Sequence, residues 1–230
     1  MNKTMIQNSV LLTDTPIDYQ ILRWPTPSSK TWTLSLLETA QYDANFIAIV
    51  AAGSAVRPNV ASMDLDLLVI CKDVTALRLK PPIEIDLRTY PETQVEGLLQ
   101  TGHDLLNWAV KFGKVLFESD GYWWKLITRW QHRLPLPSAR VARERAAATA
   151  RHLSNVMQSG DIDAAREQAL SYMTHIARAE LVDRGVYPAS RPELPKQLEM
   201  IGSWKLAEAL DRLLVSDSLN ISEITALTKV

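Results

Sequence analysis

Cysteine is almost missing from this sequence: Cys71 is the single one in 230 residues. One thiol cannot close an internal disulfide, so a reducing, cytoplasmic setting fits. Cys71 then reads as a small buried residue at the end of a strand. An excess of one charge is missing too. The formal net charge is −1, which excludes a broad basic surface and argues against nucleic acid as a partner. No uninterrupted apolar run approaches the roughly 18 residues of a membrane span. The opening MNKTMIQNSV lacks the apolar core of a signal peptide. His103, His132 and His175 have no cysteine or histidine partner at ligand spacing, which argues against zinc. There is no internal repeat and no low-complexity tract.

What remains is a chain that is 47% hydrophobic, enough for a real core, with two halves of different texture. In the first half, TWTLSLLETAQYD (31–43) has helical spacing, with Ser28 and Ser29 available as caps. FIAIVAA (46–52), LDLLVIC (65–71) and KVLFE (114–118) read as short strands, and IEIDLRTY (83–90) alternates like a strand after Pro81-Pro82. VEGLLQTGHDLLNWAVKF (95–112) reads as one helix stopped by Gly113. The adjacent Trp123 and Trp124, with Trp130, suit either a stacking platform or core packing, and core packing is the simpler reading. RLPLPS (133–138) is a linker. Beyond it the helix formers of ARVARERAAATARHLSNVMQSG stop at Gly160, and DIDAAREQALSYMTHIARAELVDRG starts on capping aspartates and stops at Gly185. Three shorter helices follow. The expected architecture is an α/β domain with a small mixed sheet over 1–134 and an all-α helical bundle over 135–230.

The segment AAGSAVRPNVASMDLDLLVI (51–70) holds the chemistry. On a strand, residues two apart share a face, so Asp64 and Asp66 point the same way, their Cα atoms about 7 Å apart. Two carboxylates that close repel one another. Either their face is open to water, or they share a proton, or they bind a cation. Hard divalent ions such as Mg²⁺ prefer carboxylate oxygens and bring substrate phosphates with them. IEIDLRTY offers a third carboxylate from a neighbouring strand, either Glu84 or Asp86. Gly53-Ser54, after the first strand, lets backbone approach a ligand and offers N–H groups and a hydroxyl to phosphate oxygens, although a plain turn also explains it. Two ions held by three carboxylates beside a phosphate cradle would clamp the attacking and leaving oxygens of an in-line displacement.

The pattern Ala52-Gly53-Ser54, nine residues, then Asp64-Leu65-Asp66-Leu67 resembles the signature of the polymerase-beta-like nucleotidyltransferases. Gly53-Ser54-Ala55-Val56-Arg57-Pro58 is similar to the Gly-Ser-x-Ala-Arg-Gly of its small members, with Pro58 in place of glycine and Met63 in place of serine before the first aspartate. The resemblance covers roughly 31–118. It implies transfer of a nucleoside monophosphate from an NTP to an acceptor, with release of pyrophosphate. It assigns Asp64, Asp66 and Asp86 to catalysis and to two Mg²⁺ ions, with Glu84 as fallback for the third, and Gly53, Ser54 and Arg57 to the nucleotide. Asp86 would also help activate the acceptor.

A catalytic domain followed by a helical one is similar to the aminoglycoside nucleotidyltransferases and to the minimal-nucleotidyltransferase and HEPN pairs of toxin–antitoxin systems. HEPN ribonucleases leave four to six residues between an arginine and a histidine. Arg145 and His152 have that spacing and share a helix face, but a solvated face is the simpler account. Tyr172, His175 and Tyr187 could line an acceptor pocket or simply pack helices, and Glu118 and Asp120 could meet a cationic acceptor or form a polar loop. Spare apolar surface on the helices could support a homodimer. The competing reading for the whole chain is a non-catalytic nucleotide-binding or regulatory module of the antitoxin kind. The acceptor and the base of the NTP are not legible, and neither is a role for residues 1–30.

Overall fold

A computed structural model of the chain describes residues 20–58, 64–216 and 218–229. The chain divides into two compact units, Met1–Pro135 and Leu136–Val230.

The first unit is built on a four-stranded mixed sheet of order β3-β2-β1-β4. The two central strands, β1 (Phe46–Ala52) and β2 (Leu65–Cys71), are apolar throughout but for Asp66, as burial on both faces requires. β1 runs antiparallel to β2 and to β4 (Lys114–Glu118), and β2 runs parallel to β3 (Ile85–Pro91). One face of the sheet carries Ile49, Ala51, Leu65, Leu67 and Val69. It packs on α1 (Pro27–Tyr42) through Leu36, Leu37 and Ala40. The other carries Ala48, Val50, Ala52, Leu68 and Ile70 and is covered by α2 (Glu92–Gln100), α3 (Asp104–Phe112) and α4 (Tyr122–Trp130). A register shift between Phe46 and Ala48 puts Phe46 in the first cluster and Ile47 in the second, against the plain alternation.

Local chemistry sets the helix ends, and here the expectations need correcting. α1 starts at Pro27, so Ser28 and Ser29 are not its caps. Thr26 is the cap: its hydroxyl accepts from the Ser29 N–H at 3.1 Å, and the Ser29 hydroxyl accepts from the Thr26 N–H at 3.1 Å. The single helix expected over 95–112 is two. Gly102, at φ 81°, ends α2, and His103 starts α3 by accepting the Leu106 N–H on Nδ1 at 3.4 Å. β3 begins at Ile85, not Ile83. Ile83 is 97% exposed, and the Ile85 N–H donates to the Pro82 carbonyl at 3.1 Å. α4 has no counterpart among the expected elements. Within it Trp123 is fully buried and Trp124 is 66% exposed, so the neighbouring rings face apart and the platform reading fails.

The second unit is helical: α5 (Ala139–Ser159), α6 (Ile162–Asp183), α7 (Leu194–Met200), α8 (Trp204–Val215) and α9 (Ile221–Leu227), with a 3₁₀ turn at Arg191–Glu193. These elements stand where the capping and stop residues put them. Ser138, Asp161 and Asn220 accept the N–H groups of Val141, Ala164 and Glu223. Its core is Leu153, Ala165, Ala169, Met173, Leu181, Leu194, Leu210 and Ile224, among others. The alanines let α6 come close to its neighbours. Among the described residues no helix is long and apolar enough to cross a membrane. The architecture is the expected one: an α/β unit with a small mixed sheet, then an all-helical unit.

Candidate active site

Strand register brings the acids together. Asp66 of β2 stands directly opposite Asp86 of β3, and opposite Ala52 of β1 on its other side. Residues opposite one another in a sheet share a face, so both carboxylates continue the row of Leu68 and Ile70. Asp64 comes two residues earlier, immediately before the strand, and its charge acts on Asp66. Asp64 and Asp86 are exposed, whereas Asp66 is half-buried. Glu84, the alternative third carboxylate, is not on a strand. It lies in the turn before β3, where its backbone carbonyl accepts the Leu65 N–H at 2.8 Å.

Gly53 follows β1 directly and faces Asp66. Its φ is 72° and its ψ −156°, a backbone state that essentially only glycine adopts. A Cβ at this position would also stand 2.0 Å from Asp66 Oδ2. The backbone state favours glycine, and any larger residue would force the Asp66 carboxylate to move. Ser54 opens a 3₁₀ turn, Ser54–Val56, closed by the Arg57 N–H donating to the Ser54 carbonyl at 3.0 Å. The Arg57 guanidinium lies over the Phe112 ring at 5.0 Å, and Phe112 packs on Trp108 with centroids 5.2 Å apart. The segment before α1 braces this turn: the Leu22 and Arg23 N–H groups both donate to the Ala55 carbonyl, at 3.0 and 3.4 Å, and Ile21 is buried in the core below. Nothing in the residue types of 20–25 announces that contact. Of the two departures from the family pattern, Pro58 follows the turn and Met63 lies outside the described residues.

Burial pushes the Asp66 carboxyl up to about 6, and the neighbouring charges of Asp64 and Asp86 push the same way, while Arg88 opposes them. Arg88 is the residue that sequence reasoning missed. It sits two residues after Asp86, on the same face, and its Nη2 donates to Asp86 Oδ2 at 2.9 Å. The alternation of β3 was the available signal. In donor type the set fits a hard divalent cation: three carboxylates, one half-buried, with a charge surplus that a cation relieves. It is not a closed cage, because among the described residues no three acidic, histidine or cysteine side chains converge as metal ligands do. Asp86 is turned to Arg88, whose charge also acts on Asp66.

The other candidates separate from this site. Glu118 is buried, and its Oε2 accepts the Trp124 N–H at 3.0 Å, completing the first turn of α4. Asp120 adopts φ 53° and its carbonyl accepts from Lys125 Nζ at 2.7 Å. Both serve the β4–α4 turn. His103 caps α3 and meets the Tyr90 ring edge-on, 5.5 Å between centroids. In the helical unit Tyr172 packs on the core and Tyr187 is buried. His175 is half-buried, which pushes its imidazole below the usual value, as do the charges of Arg178, Arg145 and Arg191. Arg145 and His152 are both exposed. The residues one position further on, Ala146 and Leu153, are the buried ones.

No protein-family model matches the chain, and no curated protein matches it. Among solved structures the chain is similar to a nucleotidyltransferase-like protein from Exiguobacterium sibiricum, with 18% identity over 87% of this chain and 72% of that one and a TM-score of 0.42. Likeness at that level leaves activity to be argued from the residues themselves.

Proposed function

We propose that this chain is a magnesium-dependent nucleotidyltransferase that moves a nucleoside monophosphate from an NTP to an acceptor, either a small molecule or a protein side chain, and releases pyrophosphate. The observation that carries this reading is the in-register pair Asp66–Asp86, with Asp64 two residues before and the Gly53 backbone pressed against Asp66. An edge of a sheet that gathers three acids against a glycine turn is costly unless a cation and a phosphate chain belong there.

Asp64, Asp66 and Asp86 would hold the ions, which when bound neutralise charge on the α-phosphoryl group and on the leaving pyrophosphate. The Gly53–Ser54 turn supplies backbone N–H groups and a hydroxyl to the triphosphate. Arg57, oriented by the Phe112 ring, adds positive charge beside that turn. The acceptor's oxygen or nitrogen attacks the α-phosphorus and its proton passes to Asp86. The bond from the α-phosphorus to the bridging oxygen breaks, and pyrophosphate leaves with the electron pair.

The test is pyrophosphate release from each of the four NTPs with Mg²⁺, over an acceptor panel that includes aminoglycosides and the chain itself. Release that disappears in Asp66→Asn supports the reading; release that the variant retains refutes it. The Asp86–Arg88 ion pair favours one other reading, a nucleotide-binding module without turnover. Calorimetric titration with ATP separates the two: the enzyme requires Mg²⁺ for tight binding, and the module binds equally well without it.

A further inference from the structure

The acid cluster already has a cation, and it is part of the chain. Arg88 lies on the edge strand β3, on the face of Asp66 and Asp86, opposite Leu68 in the register. Its guanidinium takes one oxygen of Asp86 at 2.9 Å and is close enough to Asp66 to pull against the repulsion there. The pair is 57% and 45% exposed, so it is in contact with water and breaks at little cost. Asp86 meanwhile has no backbone donor or second side chain among its hydrogen bonds in the described residues. A carboxylate whose partner is one exposed arginine is a ligand held in reserve.

We propose that Arg88 is a built-in competitor of the metal ion: it occupies the Asp86 carboxylate until a divalent cation displaces it. This rests on the assignment of the three aspartates as cation ligands, and it explains why they do not form a closed cage in the described residues. Arg88 is a positioning residue here, acting through Asp86. Released, it lies on the face that would receive phosphate oxygens, for which a guanidinium is suited.

The experiment titrates the full chain with Mn²⁺ alone, reading free Mn²⁺ by electron paramagnetic resonance, for wild type, Arg88→Gln, Asp66→Asn and the double variant. Circular dichroism confirms that each is folded. Removing an exposed competing pair should tighten Mn²⁺ binding about fivefold in Arg88→Gln, and adding Asp66→Asn should abolish the gain. Damage to the fold would only weaken binding, so a tighter site does not come from a damaged fold. Unchanged or weaker binding in Arg88→Gln overturns the proposal, as does a gain that survives Asp66→Asn. If wild type binds Mn²⁺ through Asp66 but Arg88→Gln matches it, competition fails and the assignment of the aspartates stands. If no variant binds Mn²⁺, both fail.

Discussion

The two units of this chain place their polar side chains by different rules. In the sheet unit, strand register decides: Asp66 and Asp86 are 20 positions apart in sequence and directly opposite in space, on the face that carries Ala52, Leu68 and Ile70. In the helical unit, the helix surface decides. Arg143 pairs with Asp183 and Arg191 with Glu167, opposite charges meeting at an exposed surface, while Arg145 and His152 sit one step off the packed face of α5. Like charge gathers at the end of β2, where Asp64 and Asp86 both act on the half-buried Asp66, and that is where chemistry is to be sought. Basic groups also gather around His175, but on a surface laced with acidic partners.

The widest break between the two regions should appear in activity. Asp66→Asn should lower magnesium-dependent pyrophosphate release on the order of 10³-fold, and His175→Gln should leave it within about twofold. A comparable loss in both would erase the distinction. Gly53→Ala comes next. Its Cβ would collide with Asp66 Oδ2 and its φ is wrong for alanine, so denaturant titration should show a loss of about 2–3 kcal/mol. Activity should fall by about 10² because the phosphate turn and the second aspartate move together. Gly160→Ala, at φ 77° but with nothing near its Cβ, should cost only about 1 kcal/mol. That difference measures what the glycine-only backbone of Gly53 and its close approach to Asp66 add together to the cost of an ordinary left-handed position.

Acidification sharpens the contrast, because the two units respond with opposite sign. Asp66 titrates at about 6 in the folded state, raised from 3.8 first by burial. Between those values the folded chain holds a proton that the unfolded chain has released. The contribution is fully present below about 3.8 and is lost as pH rises through about 6. His175 is depressed below 6.5, chiefly by burial, so its contribution is present above the unfolded value and is lost as pH falls through the folded one. In EDTA, Asp66→Asn should therefore exceed wild type by about 2 kcal/mol at pH 7.5 and by little at pH 4.5. His175→Gln should gain on wild type only as pH falls. Equal gains for Asp66→Asn at both pH values would mean that Asp66 is ionised throughout.

Much of this was legible in the residues, for reasons that differ by element. β1, β2 and β4 showed as apolar runs of strand length, and the long helices of the second unit showed through strong helix formers, the capping Asp161 and the stops at Gly160 and Gly185. The Asp64–Asp66 pair and the Gly53–Ser54 turn were visible because strand period and φ preference are local. What escaped depends on contacts between distant segments. The break at Gly102 was hidden inside a continuous helical pattern, and α4 was hidden among tryptophans whose faces only packing separates. The choice of Asp86 over Glu84 waited on the register with β2, and the brace of Leu22 and Arg23 on Ala55 uses backbone groups that every residue owns. Arg88 was missed for another reason. Attention to acids as ligands passed over the base beside them.

The smallest effect tests whether the sheet unit contains acids that are merely structural. Glu118 ends β4 on the same unit as the aspartates, and by sequence it could meet a cationic acceptor or belong to a polar loop. Its carboxylate instead closes the first turn of α4 on the Trp124 N–H, where a helix N-terminus favours negative charge. Glu118→Gln keeps an acceptor there and removes the charge, so the expected loss is about 0.5 kcal/mol in denaturant titration, with pyrophosphate release within about threefold of wild type. Glu118→Ala removes the acceptor as well and should cost about 1 kcal/mol more, the price of an uncapped turn. A hundredfold loss of activity in Glu118→Gln, at unchanged stability, would move this residue from the frame of the sheet into its chemistry and make the acid site four carboxylates wide.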